Sequence, residues 1–246
     1  MPFAFSVGAI LLALILGKRL FGTAFGLFLG AITAVSPVLI NQSLQLKQYS
    51  ADLFCSFIVM ILIWNYSQTP TSRNFAWLSL ITLVCLPLAY ATVMFLPLAA
   101  CLILLSDGGG AAIRRTGIFT VLSAIAFLAL YFWFIKPNRS PELLAYWYAQ
   151  GAFPHKASGI VWFYLTGFRH AFWMFYGWAS IPRVLALLAV CGITSLLFSF
   201  PSARSRVLLA FAGLPVITLV VVNVLGLYPF YHCWNVSGSS FPETGF

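Results

Sequence analysis

Acidic side chains are almost missing from this sequence: four Asp and Glu stand against thirteen Lys and Arg in 246 residues, and charged residues make up only 7%. A soluble surface carries about a quarter of its residues as charge, so a soluble domain of this length has no hydrophilic shell here. The five cysteines, Cys55, Cys85, Cys101, Cys191 and Cys233, are odd in number and form no C-x-x-C. Four of them sit inside apolar stretches as small hydrophobes and say nothing about redox compartment. His155, His170 and His232 are widely separated, with too few carboxylates beside them for a zinc signature, and no metal site is expected. There is no G-x-S-x-G elbow to support serine hydrolysis. No G-K-[ST] follows Gly108-Gly109-Gly110, which removes a phosphate-cradling loop.

What is present is hydrocarbon. Hydrophobic residues reach 62%, aromatics 17%, and the mean hydropathy is +0.99. The apolar runs are continuous, where barrel strands would alternate over about ten residues. At about 20 residues per span the length accommodates about eight transmembrane helices with little left over. The sequence therefore predicts an all-α, polytopic transmembrane bundle in one domain over residues 1–232, with a polar irregular tail at 233–246. A net charge of +9 would point to nucleic acid in a soluble protein. Here the cations are scattered between apolar runs, which makes membrane lipid phosphates their natural partners and nucleic acid none.

The first span is expected over Pro2–Leu16, followed by a hairpin, Gly17-Lys18-Arg19-Leu20-Phe21-Gly22, held in the cytoplasm by its two cations. A second span, from about Phe21 to Ile40, carries Gly22, Gly26 and Gly30 as one stripe for close helix approach. A polar outer turn, Asn41 to Ser50, leads to a third span ending near Tyr66. Residues Phe75 to Leu105 would make one helix of about 46 Å, too long for a core of about 30 Å. Pro87 and Tyr90 mark a break, so a hairpin of two short helices is expected, with Gly108–Gly110 as a flexible cytoplasmic loop. Ile118–Ile135 crosses outward, Lys136 to Gly159 forms the main outer loop, and the aromatic stretch from Val161 to Trp178 suits an interfacial helix. Spans at about Val184–Phe200 and Val207–Leu227 complete the eight. Lys18, Arg19, Arg73, Arg114, Arg115, Arg204 and Arg206 then lie inside. No internal repeat is visible.

With so few acids, each can be weighed for catalysis. Asp107 is placed in the cytoplasmic loop and Glu243 in the tail, leaving Asp52 and Glu142 outside. Asp52 stands at the entry to a span, where an ionised carboxylate costs about 2.5–3.5 kcal/mol at full depth; it must line a wet cavity or be paired. Lys47 precedes it by five residues. The pair fits a cavity mouth, with Lys47 toward a lipid phosphate and Asp52 toward a hydroxyl or cation. On chemistry alone an interfacial salt bridge anchoring a helix end fits better, and spacing alone does not decide. The aromatics Tyr146, Trp147, Tyr148, Trp162, Phe163 and Tyr164 either stack on sugar faces or sit at headgroup level.

Ser36-Pro37 and the following Asn41-Gln42-Ser43-Leu44-Gln45-Leu46-Lys47-Gln48-Tyr49-Ser50-Ala51-Asp52 resemble the GT-C polyprenyl-phosphate-sugar glycosyltransferases. That group includes bacterial relatives of protein mannosyltransferases and the aminoarabinose transferase of lipid A. Its members often show a Ser-Pro ending one helix, then a turn of the type Y-S-x-E-x-K-Q-Y-S-x-D. Lys47, Tyr49, Ser50 and Asp52 match that turn, and Gln45 falls where Glu is common. The segments Gly17–Gly22 and Leu227-Tyr228-Pro229-Phe230 are also similar to parts of the family, so the resemblance covers about residues 5–232.

The resemblance implies transfer of a sugar from a polyprenyl-phosphate donor, with inversion, to a lipid, glycan or protein hydroxyl outside the membrane, as in a bacterial inner membrane. Such transfer needs a base for the acceptor proton and a cation for the departing phosphate. Asp52 is the candidate base and Lys47 the phosphate partner, with Tyr49, Ser50, Arg139, Lys156 and Arg169 as further substrate-binding candidates. No cofactor is required; a divalent cation is compatible with the chemistry. The family's main acidic residue lies between its first two helices, and this chain begins at what resembles the second. The tail after Phe230 also departs from the family, so a chain truncated at both ends is expected; if it is active as it stands, Asp52 is its one acidic candidate. Two rival classes are kept: a transporter or lipid flippase, which would carry polar groups at mid-span and repeated halves, and a non-catalytic membrane subunit. Donor sugar, acceptor and oligomeric state are not legible.

Overall fold

The computed structural model describes residues 2–36, 40, 49–106, 109–138, 140–142, 145–146, 154, 160, 162–166 and 203–225. Every regular element among them is helical, with no strand. The expected span over Val184–Phe200, most of the outer loop, the second half of the interfacial helix and the polar tail lie outside the described residues.

Long apolar runs with few helix breakers give α1 (Pro2–Phe21) and, after a single-residue turn, α2 (Thr23–Val35). The turn is Gly22, whose φ of 97° is the region that glycine alone enters without strain. Helix α1 thus continues through Lys18 and Arg19 instead of ending at Leu16. The two cations occupy its last turn, where a helix C-terminus favours positive charge. The expected glycine stripe divides its labour: Gly22 makes the turn, while Gly26 and Gly30 lie against Leu14, Lys18 and Ile10 of α1. Gly17 meets Gly26 in return, so the two backbones touch along an antiparallel hairpin.

Helix α3 (Tyr49–Gln68) packs against α1 and runs parallel to it: Phe54 near its start lies on Phe5 and Gly8, and Asn65 near its end accepts a hydrogen bond from Arg19. A tight turn through Thr69–Thr71 leads to α4 (Ser72–Leu88). Thr71 caps it, accepting from the Asn74 backbone N–H at 3.2 Å, while the Asn74 side chain donates to Thr69. The expected break follows Pro87. Ala89 is extended, with φ −150° and ψ 104°, and the chain resumes as a 3₁₀ turn (Tyr90–Phe95) running into α5 (Leu96–Ser106). Pro87 contributes to the stop by removing its own N–H from the ladder and crowding the carbonyl one turn back; the helix ends one residue later, with the Ala89 N–H still bonded to Cys85.

Helix α6 (Gly109–Leu130) widens into a π-helical turn at Tyr131–Ile135, and α7 (Ala203–Val224) packs on α5 and the 3₁₀ turn. Helix α6 begins at Gly109, so Gly109 and Gly110 open a helix where a flexible loop was expected, with φ of +57° at Gly109. The cause is Arg115. Its guanidinium donates to the Tyr66 hydroxyl at 3.2 Å, the Pro70 carbonyl at 3.1 Å and the Ser72 hydroxyl at 3.0 Å, and lies over the Phe75 ring. These contacts fix the start of α6 to the α3–α4 turn. Arg115→Gln is expected to lower stability in detergent by about 1–3 kcal/mol, read from denaturant unfolding. Arg115→Lys should recover little, since one ammonium cannot reproduce the planar fork.

The hairpin expected at Phe75–Leu105 follows from these ties. The 3₁₀ turn lies beside Asp52 at the start of α3, while the chain after Ser106 returns within a few residues to Arg115 at the other end. Lys18, Arg19, Arg73, Arg114 and Arg115 therefore share one end of the bundle, termed here the basic end. Asp52 and, beyond the π turn, Lys136 and Glu142 belong to the opposite one. The core between the ends is formed by Leu16, Val59, Ile63, Leu78, Leu98, Leu102, Phe119 and Phe211.

The outward faces are apolar as well. Phe3, Val7, Leu11 and Ile15 repeat along α1, and Val121, Ile125 and Leu128 along α6, all exposed. Among the described residues, four helical segments are long and apolar enough to cross a membrane: Phe3–Phe21, Ser50–Gln68, Gly109–Ile135 and Val207–Val224. Three shorter apolar ones, Thr23–Val35, Ser72–Leu88 and Tyr90–Ser106, lie among them. In water such exposure would drive association; in hydrocarbon it carries no penalty.

Candidate functional site

Asp52 lies in the first turn of α3, whose own N-terminus favours a negative charge. Its Oδ1 accepts a long hydrogen bond, 3.5 Å, from the backbone N–H of Ala91 across the helix break. The reason is local. Extended Ala89 leaves the first N–H groups of the 3₁₀ turn without a side-chain cap of their own, and Asp52 supplies one from a neighbouring helix. Asp52 is thus placed by the Pro87–Tyr90 break.

Around it the structure brings together two more of the residues singled out in the sequence. Ser50 is buried one half-turn earlier, and Tyr49 opens α3. Ser56, one turn further in, turns its hydroxyl back to the Asp52 carbonyl at 2.7 Å and so does not compete for the carboxylate. Thr92, next to Ala91, is fully buried and its hydroxyl has no partner among the described residues. The same holds for the hydroxyl of Ser36, where α2 ends. Unpaired hydroxyls in such surroundings cost about 1–3 kcal/mol each.

Lys47, Arg139, Lys156 and Arg169 lie outside the described residues. Glu142, the other outer acid, is fully exposed beyond α6. The Ser140 hydroxyl and its own backbone N–H hold its carboxyl below the usual range, which leaves it a solvated anion away from Asp52. Tyr146 and Trp162 are exposed, and Tyr164 is buried, donating to Asn223 Oδ1 at 2.6 Å. Tyr164 is therefore occupied in packing α7; it is not a free stacking platform.

Sequence reasoning missed Ala91, Thr92 and Asn223. The break itself was signalled by Pro87, but which carboxylate would cap it was not. Asn223 is a lone amide in the run Leu219-Val220-Val221-Val222-Asn223-Val224, the pattern by which an intramembrane polar contact announces itself. No family model, no curated protein and no solved structure matches the chain. The family resemblance consequently rests on the residues quoted for it alone.

No three His, Cys, Asp or Glu side chains converge among the described residues. Asp52 could offer one oxygen to a divalent cation, whose remaining ligands would have to come from a phosphate or from residues beyond those described. As a chemical unit the site has one carboxylate and an interrupted helix whose N-terminal end faces it. It can accept a proton, orient a hydroxyl and receive partial negative charge.

Proposed function

We propose that this chain is the membrane portion of a glycosyltransferase-like protein of the GT-C type, moving a sugar from a polyprenyl-phosphate donor to a lipid, glycan or protein hydroxyl on the non-cytoplasmic face. The observation that carries this reading is the position of Asp52 in the matched turn, held at a helix break at the end of the bundle opposite Lys18, Arg19, Arg73, Arg114 and Arg115. By the positive-inside rule the basic end faces the cytoplasm, so Asp52 faces out, in a multi-pass inner-membrane bundle of about eight spans.

In this reading the acceptor hydroxyl gives its proton to the Asp52 carboxylate as its oxygen attacks the anomeric carbon. The bond from that carbon to the phosphate oxygen breaks, and polyprenyl phosphate departs with the electron pair. Lys47, aided by Arg139, Lys156 or Arg169, offsets the charge that develops there. Tyr49 and Ser50 line the same turn and contact the donor head. Lys47→Ala is expected to cut transfer from a labelled polyprenyl-phosphate sugar in membranes about 10²-fold or more, the scale of one oxyanion-stabilising group. Transfer equal to the unaltered chain would remove Lys47 from the site.

The topology has its own test. In intact cells a membrane-impermeant maleimide should label Lys47→Cys and Lys136→Cys, and should label Lys18→Cys and Arg73→Cys only after permeabilisation. The reverse pattern would turn the bundle over and end the sugar-transfer reading.

One observation favours a second reading, a transporter or lipid flippase. Discontinuous helices whose unwound backbone meets a carboxylate are a recurring way to hold an ion or headgroup inside a membrane, and Asp52 beside Ala89–Ala91 has that form. Movement of a fluorescent lipid across vesicles without any sugar transfer would select it.

A further inference from the structure

A cleft of about 220 Å³ opens at the basic end between the last turn of α3 and the first turns of α4. Leu62, Asn65, Arg73, Asn74 and Trp77 line it. Its polar groups are directed by the turn already described. The Asn65 carbonyl oxygen is engaged by Arg19, which leaves that amide's N–H₂ as its unengaged edge, and the Asn74 side chain is pinned to Thr69. Arg73 is exposed and forms no hydrogen bond or ion pair among the described residues. Of the described acidic residues, Asp52 and Glu142, neither lies at this end.

The helix below the cleft matches it. Arg73, Trp77, Leu80, Val84 and Leu88 fall within about 80° of one another at 100° per residue. The four apolar members are 49–54% exposed, so one outward face of α4 carries a cation at its top and an unbroken apolar stripe beneath. From Arg73 to Val84 the rise is about 16 Å, close to half of a hydrocarbon core of about 30 Å. A cation and amide at interface level, an indole beside them and an apolar track one leaflet deep are complementary to a single kind of molecule.

We infer that this cleft binds the phosphate headgroup of an anionic phospholipid of the leaflet at the basic end, with Arg73 and the Asn65 amide on the phosphate and an acyl chain along Trp77, Leu80 and Val84. The site lies at the other end of the bundle from Asp52. It rests on the membrane-spanning reading of the chain and not on sugar transfer, so an inactive transferase leaves it standing.

The test uses the full chain in phosphatidylcholine bilayers doped with phosphatidylglycerol carrying brominated acyl chains, which quench nearby indoles. The Trp77 signal is taken as the difference between the unaltered chain and Trp77→Phe. Brominated phosphatidylglycerol should quench it at an about fivefold lower mole fraction than brominated phosphatidylcholine, the scale of one cation at a charged lipid surface. Arg73→Gln should erase that preference, Arg73→Lys should retain part of it, and Lys136→Gln, at the opposite end, should leave it intact. Equal quenching by both lipids, or a preference that survives Arg73→Gln, would overturn the site. Displacement of the brominated lipid by millimolar inorganic phosphate would overturn the lipid assignment and make the cleft a site for the free anion.

Discussion

Replacing Asp52 with asparagine is expected to lower sugar transfer by about 10²–10⁴-fold, the range for loss of a positioned general base, while the fold remains intact. The two parts of that outcome separate the roles this residue could have. As a cap, Asp52 needs only an oxygen aimed at the Ala91 N–H, and asparagine keeps one. As a base it needs a carboxylate, and asparagine has none. Asp52→Ala removes both and should add about 0.5–2 kcal/mol of destabilisation, the usual cost of a lost cap. Transfer from a labelled polyprenyl-phosphate sugar, measured beside unfolding in detergent, reads the two quantities independently. If Asp52→Asn transfers as well as the unaltered chain, Asp52 is a cap and nothing more, and the interfacial-anchor reading of this residue stands.

Gly26→Leu is expected to be the most damaging single change to the fold, above the usual cost of about 1–3 kcal/mol for an overpacked core site. A Cβ at Gly26 would sit 2.6 Å from the Leu14 carbonyl oxygen and 2.8 Å from the Lys18 nitrogen, both backbone atoms that no rotamer change can move. The α1–α2 hairpin would have to separate. Gly30 is a graded comparison, since its nearest neighbour is the Leu14 Cβ at 3.2 Å and Gly30→Ala asks only for a small shift. Gly22→Ala meets no atom within 4 Å but must adopt φ +97°, a strain of about 1–3 kcal/mol. Denaturant unfolding of the three variants should rank Gly26→Leu as the largest loss. A Gly26→Leu protein as stable as the unaltered chain would mean that the hairpin is not closed as described.

The sequence was read best where physics is local. Pro87 ended α4 where expected, because a missing N–H and a steric clash act within one turn. The continuous apolar runs likewise specified helices, whatever surrounds them. Boundaries were read less well. Lys18 and Arg19 looked like a loop because charge is costly in hydrocarbon, yet a helix C-terminus welcomes it; Gly109 and Gly110 looked like a loop because glycine weakens helices, yet Arg115 anchors the turn that follows. The second outcome was decided by a group more than one turn away, the first by the helix end itself. The site was half legible: Asp52 stood out by scarcity, whereas Ala91 is an apolar residue given meaning only by the fold that brings its backbone N–H to the carboxylate.

Helix α2 has 13 residues and rises about 20 Å, well short of a hydrocarbon core of about 30 Å. A bilayer accommodates so short a segment by thinning beside it. The dimple would form where α2 ends at Ser36, on the side of the molecule that carries Asp52. On the proposed sugar-transfer reading, a carrier lipid would then have less depth to climb before its head met the carboxylate, and thicker bilayers would slow transfer without any residue being altered.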